Sequence, residues 1–307
     1  MNLLPVATAI VEQESWASAQ LALIFGSLGI FLVLTRLPRL QGTTLVAPAR
    51  WIMLSLLVVS FTETAIGWLA PPSASTWRYL ASISTLCPTM AVLGAKRPQD
   101  RGWQFIVASL WLVLALPAAQ DLAFAGGTVF SLHPTWEWFL LLLIAIGCSN
   151  QLPTRFGIAT LLVTAAQIVL LGGQLPFLQS WNWQRWHWLA LPMITGAIAL
   201  AWLQTRKQRT ASGWDQVWTD FRDQFGTVWA LRVMERMNHA TRMHDWKARL
   251  SWRGFLATEH SGETPNPTQQ KLDKEMEVSF RTLLRRFVSP AWIDSRLADN
   301  QSTNSEC

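Results

Sequence analysis

Charged residues are scarce in this chain: Asp, Glu, Lys and Arg make up 14% of the 307 residues, and hydrophobic residues make up 50%. An ordinary soluble domain contains roughly 25% charged residues. The scarcity is confined to residues 1–204, which hold six acidic side chains: Glu12, Glu14, Glu63, Asp100, Asp121 and Glu137. This composition excludes an ordinary soluble protein and is typical of a chain that contacts lipid.

Cysteine and tyrosine are also rare. The three cysteines, Cys87, Cys148 and Cys307, have no spacing that suggests a disulfide framework or a metal-binding knuckle. A single tyrosine stands against 19 tryptophans. Tryptophan favours the boundary between membrane and water, so we expect many of these side chains to mark membrane interfaces.

Motifs of the common enzyme classes are missing. The chain has no Gly-rich phosphate loop, nucleophile elbow, His-Glu-x-x-His zinc motif or kinase signature. No catalytic residue, metal site or cofactor is therefore predicted, and enzymatic activity has no support. Residues 205–307 hold 16 Lys and Arg against 13 Asp and Glu, and this excess of three is too small to indicate a nucleic-acid partner.

Seven apolar stretches are long enough to cross a bilayer. Each is close to the roughly 20 residues that a hydrocarbon core about 30 Å thick requires. They cover residues 17–35, 51–70, 76–95, 103–121, 135–151, 155–175 and 186–204. The sequence thus predicts an all-α, polytopic integral membrane bundle of seven transmembrane helices at 17–204, kinked where Pro88, Pro117 and Pro192 fall within spans.

The basic residues between these stretches predict the orientation. Cytoplasmic loops carry an excess of Lys and Arg. Most of the basic residues follow the first, third, fifth and seventh stretches: Arg36, Arg39, Arg50, Lys96, Arg97, Arg101, Arg155, Arg206, Lys207 and Arg209. We therefore expect an extracytoplasmic segment at 1–16, a cytoplasmic tail at 205–307 and a location in the cell (inner or plasma) membrane.

Glu63 is the acidic residue placed deepest in a predicted span, about two turns from its outer end. A carboxylate at that depth is costly unless it is paired, hydrated or protonated. One interpretation is a proton- or cation-binding group of a transporter. The other is a structural hydrogen bond or an ion pair with Arg78, the first basic residue after the short outer turn.

Several polar residues map to the outer rim of the predicted bundle: Asp121, His133, Glu137, Arg185 and His187. Two histidines in an outer cleft could ligate a haem or a metal ion, because imidazole is a common neutral ligand. The run 181–188 resembles the Trp-rich outer loop of cytochrome c assembly proteins. It lacks the glycine after the first tryptophan and the Trp-Asp ending of that loop, so no residue roles are carried over, and an interfacial aromatic anchor explains the same run.

The tail is predicted to be helical and amphipathic. Residues 213–244 place an apolar face at three- and four-residue steps that includes Trp214, Trp218, Phe221, Phe225 and Trp229. A polar linker is predicted near 257–267 and a second helix at 268–288. We expect the apolar face to contact a partner protein or the bilayer surface, with anionic inner-leaflet lipids attracted to the basic segment 242–253.

Three functions fit these features. The first is a non-enzymatic membrane protein that acts as an anchor, sensor or assembly partner through its cytoplasmic tail. The second is a small-solute or proton-coupled transporter that uses Glu63. The third is outer-face haem or metal handling through His133 and His187.

Overall fold

The computed structural model describes residues 4–97, 99–125, 130–205, 213–246, 248–257 and 267–303. Nearly all of this part of the chain is helical. Up to residue 205, the helices are α1 (Leu4–Leu40), α2 (Val46–Leu69), α3 (Ala74–Ser84), α4 (Cys87–Leu93), α5 (Asp100–Gln120), α6 (Pro134–Gln151), α7 (Gly157–Leu171) and α8 (Ala190–Gln204). A short π-helical segment, Asp121–Ala125, extends α5. A 3₁₀ segment, Trp183–Leu189, leads into α8.

Five helical segments in the described residues are long and apolar enough to cross a membrane. They are Trp16–Leu40, Val46–Leu69, Arg101–Phe124, Gly157–Gln174 and Arg185–Gln204. Their length and composition fit a membrane-embedded helical protein. The helix α1 starts at Leu4, so most of the segment predicted at 1–16 continues the first apolar helix.

The stretch 76–95, predicted as one span, is two helices. The helix α3 ends at Ser84 and α4 begins at Cys87, and neither is long enough to be among the five. The predicted span 135–151 corresponds to α6, which contains Glu137 and is also not among the five. The kink predicted at Pro88 is thus a break between two separate helices.

Neighbouring helices satisfy the backbone at this break. The Ser55 hydroxyl of α2 donates to the Ser84 carbonyl at 2.6 Å, and the Gln167 amide of α7 donates to the Thr85 carbonyl at 3.0 Å. Irregular backbone inside a membrane protein is tolerated where protein groups satisfy it in this way. Pro88 falls in the first turn of α4, where its missing N–H costs little. Side chains of α2 and α7 thus satisfy the Ser84 and Thr85 carbonyls at the break.

The other two span prolines behave differently from Pro88. Pro117 lies inside α5, which continues to Gln120 before the π-helical segment. Pro192 lies in the first turn of α8, next to the 3₁₀ segment. Helix irregularities thus accompany all three prolines that the sequence places in spans.

Residues 213–303 form a C-terminal domain. Its elements are α9 (Gly213–Met243), β1 (Ala248–Leu250), β2 (Phe255–Ala257), α10 (Pro267–Leu284) and α11 (Pro290–Thr303). The strands form an antiparallel hairpin in which Ala248 pairs with Ala257. The prediction of a purely helical tail is thus corrected, because the side chains of Asp215 and Asn238 hold the hairpin through the backbone of Phe255 and Leu250. The linker predicted near 257–267 falls largely outside the described residues.

The apolar face of α9 forms the core of this domain. Trp218, Phe221 and Phe225 are fully buried and Trp229 nearly so, while Trp214 packs edge-on against Phe280. The covering side chains come from α10, α11 and the turn between them: Phe280, Leu284, Phe287, Val288 and Ile293. The expectation that this face contacts a second protein or the bilayer is therefore corrected, because the chain itself covers it.

The C-terminal domain packs against one end of the helical bundle, called here the domain end. The Thr44 amide donates to the Phe287 carbonyl at 3.0 Å, and the Arg97 amide donates to the Arg286 carbonyl at 2.7 Å. The indole of Trp229 donates to the Val92 carbonyl at the end of α4, at 3.1 Å. The opposite end, with the turn 70–73 and the segment 181–188, is called the far end.

Candidate functional site

Glu63 forms an ion pair with Arg78 near the far end. Glu63 lies six residues before the end of α2, about 9 Å along the axis, and is 8% exposed. The Arg78 Nε lies 3.1 and 3.2 Å from the two carboxylate oxygens, and its Nη2 lies 3.1 Å from Oε2. This forked contact is the strong form of an Arg–carboxylate pair. The pairing with Arg78 that the sequence offered as one interpretation is present.

His187 joins the pair from a third segment. It belongs to the 3₁₀ segment before α8 and is 7% exposed. Its Nδ1 lies 3.5 Å from Oε1 of Glu63. We call these three residues the far-end cluster. The guanidinium pairs with the buried carboxylate, and the imidazole lies next to it without a hydrogen bond to it. A charged ligand that binds Arg78 would compete with Glu63 for the guanidinium.

A cavity of about 240 Å³ adjoins the far-end cluster. Arg78 and His187 line it together with aromatic and polar side chains, among them Tyr79, Phe130, Trp181, Trp183, Gln174 and Asn182. The rings of Trp181 and Trp183 stack with centroids 5.8 Å apart. Aromatic walls with a few converging polar groups are typical of sites that bind small organic molecules. The far-end cavity can therefore hold a small solute in contact with the cluster.

The remaining rim residues are engaged elsewhere or exposed. The Thr76 hydroxyl donates to Asp121 at 2.7 Å, and the Gln179 amide donates to Glu137 at 2.6 Å. Arg185 is exposed. These residues therefore do not extend the far-end cluster.

His133 is exposed and caps α6, where its Nδ1 accepts from the Thr135 amide at 3.3 Å. No contact among the described residues joins His133 to His187. Within that part of the chain, no group of three or more His, Cys, Asp or Glu side chains could hold a metal ion. The two histidines proposed for haem or metal handling thus occupy different settings.

A second cavity, of about 250 Å³, lies beside the break between α3 and α4. Ser55, Thr85 and Gln167 line it at the break, and Val92 and Asn150 line it towards the domain end. The Asn150 side chain also accepts from the Val228 amide of α9 at 3.0 Å. No feature singled out in the sequence predicts this cavity, although Ser82, Ser84 and Thr85 before Pro88 are a signal for a broken helix.

Two buried carboxylates attach the C-terminal domain to the α6–α7 turn. Asp220 and Asp223 are 1% and 2% exposed. Arg155 in the turn lies 3.1 Å from Asp220 and 3.4 Å from Asp223, while Arg296 and Arg222 complete the network at 2.9 and 2.7 Å. The helical pattern of α9 places both carboxylates on its polar face. Their burial depends on partners far away in the sequence.

No protein-family model, curated protein or solved structure matches this chain. The helical fold and the five apolar segments fit the class of helical membrane proteins. The two cavities and the contacts at the domain end are therefore the features that bear on function.

Proposed function

We propose that this protein is a non-enzymatic membrane sensor that crosses the cell membrane seven times. In this proposal α3 and α4 together form one broken span and α6 forms another. The far end is extracytoplasmic, and the domain end is cytoplasmic. The basic residues at the domain end, such as Arg50, Lys96 and Arg155, support this orientation by the positive-inside rule.

The broken helix carries the proposal, because its two halves contact the two ends of the molecule. On α3, Arg78 and Tyr79 line the far-end cavity. On α4, the Val92 carbonyl accepts from Trp229 of the C-terminal domain. A helix interrupted between such contacts can shift one half relative to the other, as small helix shifts do in known switching proteins.

A solute in the far-end cavity would act through the ion pair. A ligand shifts a conformational equilibrium only when it binds the two states with different affinity. A ligand group that binds Arg78 competes with Glu63 for the guanidinium, so its affinity depends on the position of α3. The position of α3 in turn affects the break and the contact of α4 with the C-terminal domain.

Hydrogen exchange tests this coupling in the purified full-length protein in detergent. Arg78→Gln leaves a buried carboxylate without its main partner, a change that typically costs about 3–5 kcal/mol. We expect faster amide exchange in α3, α4 and also in α9–α11. Arg185→Gln is the control, because it removes an exposed cation from the same end of the molecule. Faster exchange confined to α2 and α3 would contradict the proposal.

Transport is the second candidate, and the break in α3–α4 beside a cavity is the observation that favours it. Many secondary transporters bind substrate where membrane helices are discontinuous. Here Glu63 would be the proton-carrying group. Proteoliposomes with an entrapped pH-sensitive dye distinguish the two functions under an imposed membrane potential. Transport predicts proton entry that Glu63→Gln abolishes, whereas the sensor predicts entry no faster than in protein-free vesicles.

A further inference from the structure

Four cationic side chains line a small pocket where the C-terminal domain meets the bundle. They are Lys96, between α4 and α5, Arg232 and Arg236, one turn apart on α9, and Arg286, between α10 and α11. The pocket measures about 60 Å³, and its other walls are Trp229, Val233, Leu283 and Phe287. We call this site the cationic pocket. Three separate segments of the chain contribute to it, so the fold itself gathers these charges.

Within the described part of the chain, these cations have no acidic counterpart. Among the described residues, none of the four has a carboxylate within 4.0 Å of its side-chain nitrogen atoms. Glu235 is adjacent to Arg236 in the sequence but does not line the pocket. The arginines around Asp220 and Asp223, by contrast, are matched by two buried carboxylates. Like charges that converge without a counter-ion repel one another, and a bound anion relieves that repulsion.

The pocket lies beside the ends of membrane helices. Lys96 follows α4 by three residues, and the Arg286 carbonyl accepts from the Arg97 amide in the same loop. Trp229, one wall of the pocket, donates its indole N–H to Val92 on α4. The apolar helix α4 ends at Leu93, close to this pocket. At the end of a membrane helix the neighbouring lipid groups are headgroups, so an anion from the bilayer would be a headgroup phosphate.

We propose that the cationic pocket binds the phosphate group of an anionic membrane phospholipid. Arginine guanidinium groups present forked donors that match phosphate oxygens. The volume suits a phosphate-sized group, since about 10–15 Å³ already holds one water molecule. Leu283 and Phe287 line the same pocket and offer apolar contact to the glycerol portion. This site rests on the proposed placement of the domain end at the membrane surface, but it does not depend on the sensor mechanism.

Native mass spectrometry of the full-length protein tests the proposal by counting bound lipids. The protein in a neutral detergent is titrated with phosphatidylglycerol, with phosphatidylcholine and with inorganic phosphate. We expect one phosphatidylglycerol to bind in preference to phosphatidylcholine. The double variant Arg232→Gln/Arg236→Gln should weaken that binding about 30-fold, the effect of two cations near a lipid surface. Both side chains are exposed, so the melting temperature should change little.

The matched control is a pair of adjacent arginines. Both are exposed, but only Arg286 lines the pocket. Arg286→Gln should weaken phosphatidylglycerol binding and Arg285→Gln should not. Equal loss in both variants would indicate general surface attraction and overturn the site. Inorganic phosphate could instead saturate the pocket and abolish the preference for phosphatidylglycerol over phosphatidylcholine. That result would show that the ligand is a free anion and would overturn the lipid proposal.

Discussion

Gly226 illustrates how one residue couples the two parts of the molecule. Its backbone, at φ 81° and ψ −179°, interrupts α9 in a conformation that L-residues rarely adopt. The interruption leaves the Val228 amide without a helical acceptor, and the Asn150 side chain accepts from it instead. A Cβ at position 226 would come within 2.8 Å of the Asn150 backbone oxygen. Glycine is therefore required both for the conformation and for the close approach.

The substitution Gly226→Ala should destabilise the protein by about 2 kcal/mol or more, because strain at such a backbone conformation alone costs roughly 1–3 kcal/mol. Thermal unfolding in detergent and limited proteolysis of the C-terminal domain measure the effect. Gly196→Ala on α8 is the control, since a Cβ there meets nothing within 4 Å and alanine favours a helix. Equal melting temperatures for the two variants would show that the backbone conformation at position 226 does not require glycine.

At the scale of elements, the break between α3 and α4 goes beyond the kink that Pro88 predicts, because the helix ends and restarts. The apolar stretch 76–95 has the length of a span, and length is a local property that the sequence reveals. The break also needs donors for the buried carbonyls of Ser84 and Thr85, which have no helical donor. Ser55 and Gln167 supply these from other helices, so the break becomes stable only after α2 and α7 have packed.

Replacing Gln167 by Leu should destabilise the bundle by about 1–3 kcal/mol, because the buried Thr85 carbonyl loses its side-chain donor. The measurement is the melting temperature in detergent. Thr164→Val is the control: Thr164 lines the same cavity, and in the described part of the chain its hydroxyl forms no hydrogen bond. A Gln167→Leu variant as stable as Thr164→Val would mean that the break does not depend on this bond.

At the scale of the whole molecule, the number of membrane crossings decides on which side of the membrane each cavity lies. Five helical segments meet the requirements for spanning by length and composition. The proposed seven crossings add the broken pair α3–α4 and the shorter α6. The two counts differ in which loops lie on the same side of the membrane.

Labelling of single cysteines distinguishes these arrangements. In a protein whose native cysteines are replaced, we expect Ser73→Cys, Ser131→Cys and Ser180→Cys to react with a membrane-impermeant thiol reagent added outside cells. Gln99→Cys should react only after permeabilisation. If α3–α4 did not cross the membrane, positions 73 and 99 would label from the same side. Arg285→Cys reports the side of the C-terminal domain and should behave like Gln99→Cys.

The sequence by itself determined the class of protein and offered one important contact as one of two interpretations. Apolar length, the scarcity of charge and the abundance of tryptophan are properties of the chain that need no tertiary structure. The Glu63–Arg78 pair was foreseeable because a short turn connects their helices, which brings the two side chains to the same end.

Only the tertiary structure decided which long-range partners complete each site. His187 reaches Glu63 across more than a hundred residues, the α9 face is covered by α10 and α11, and the cationic pocket gathers three separate segments. Periodicity shows that a helix has an apolar face but does not identify what covers it. That choice depends on the packing free energy of the whole chain, because each contact forms only when distant segments have been brought together.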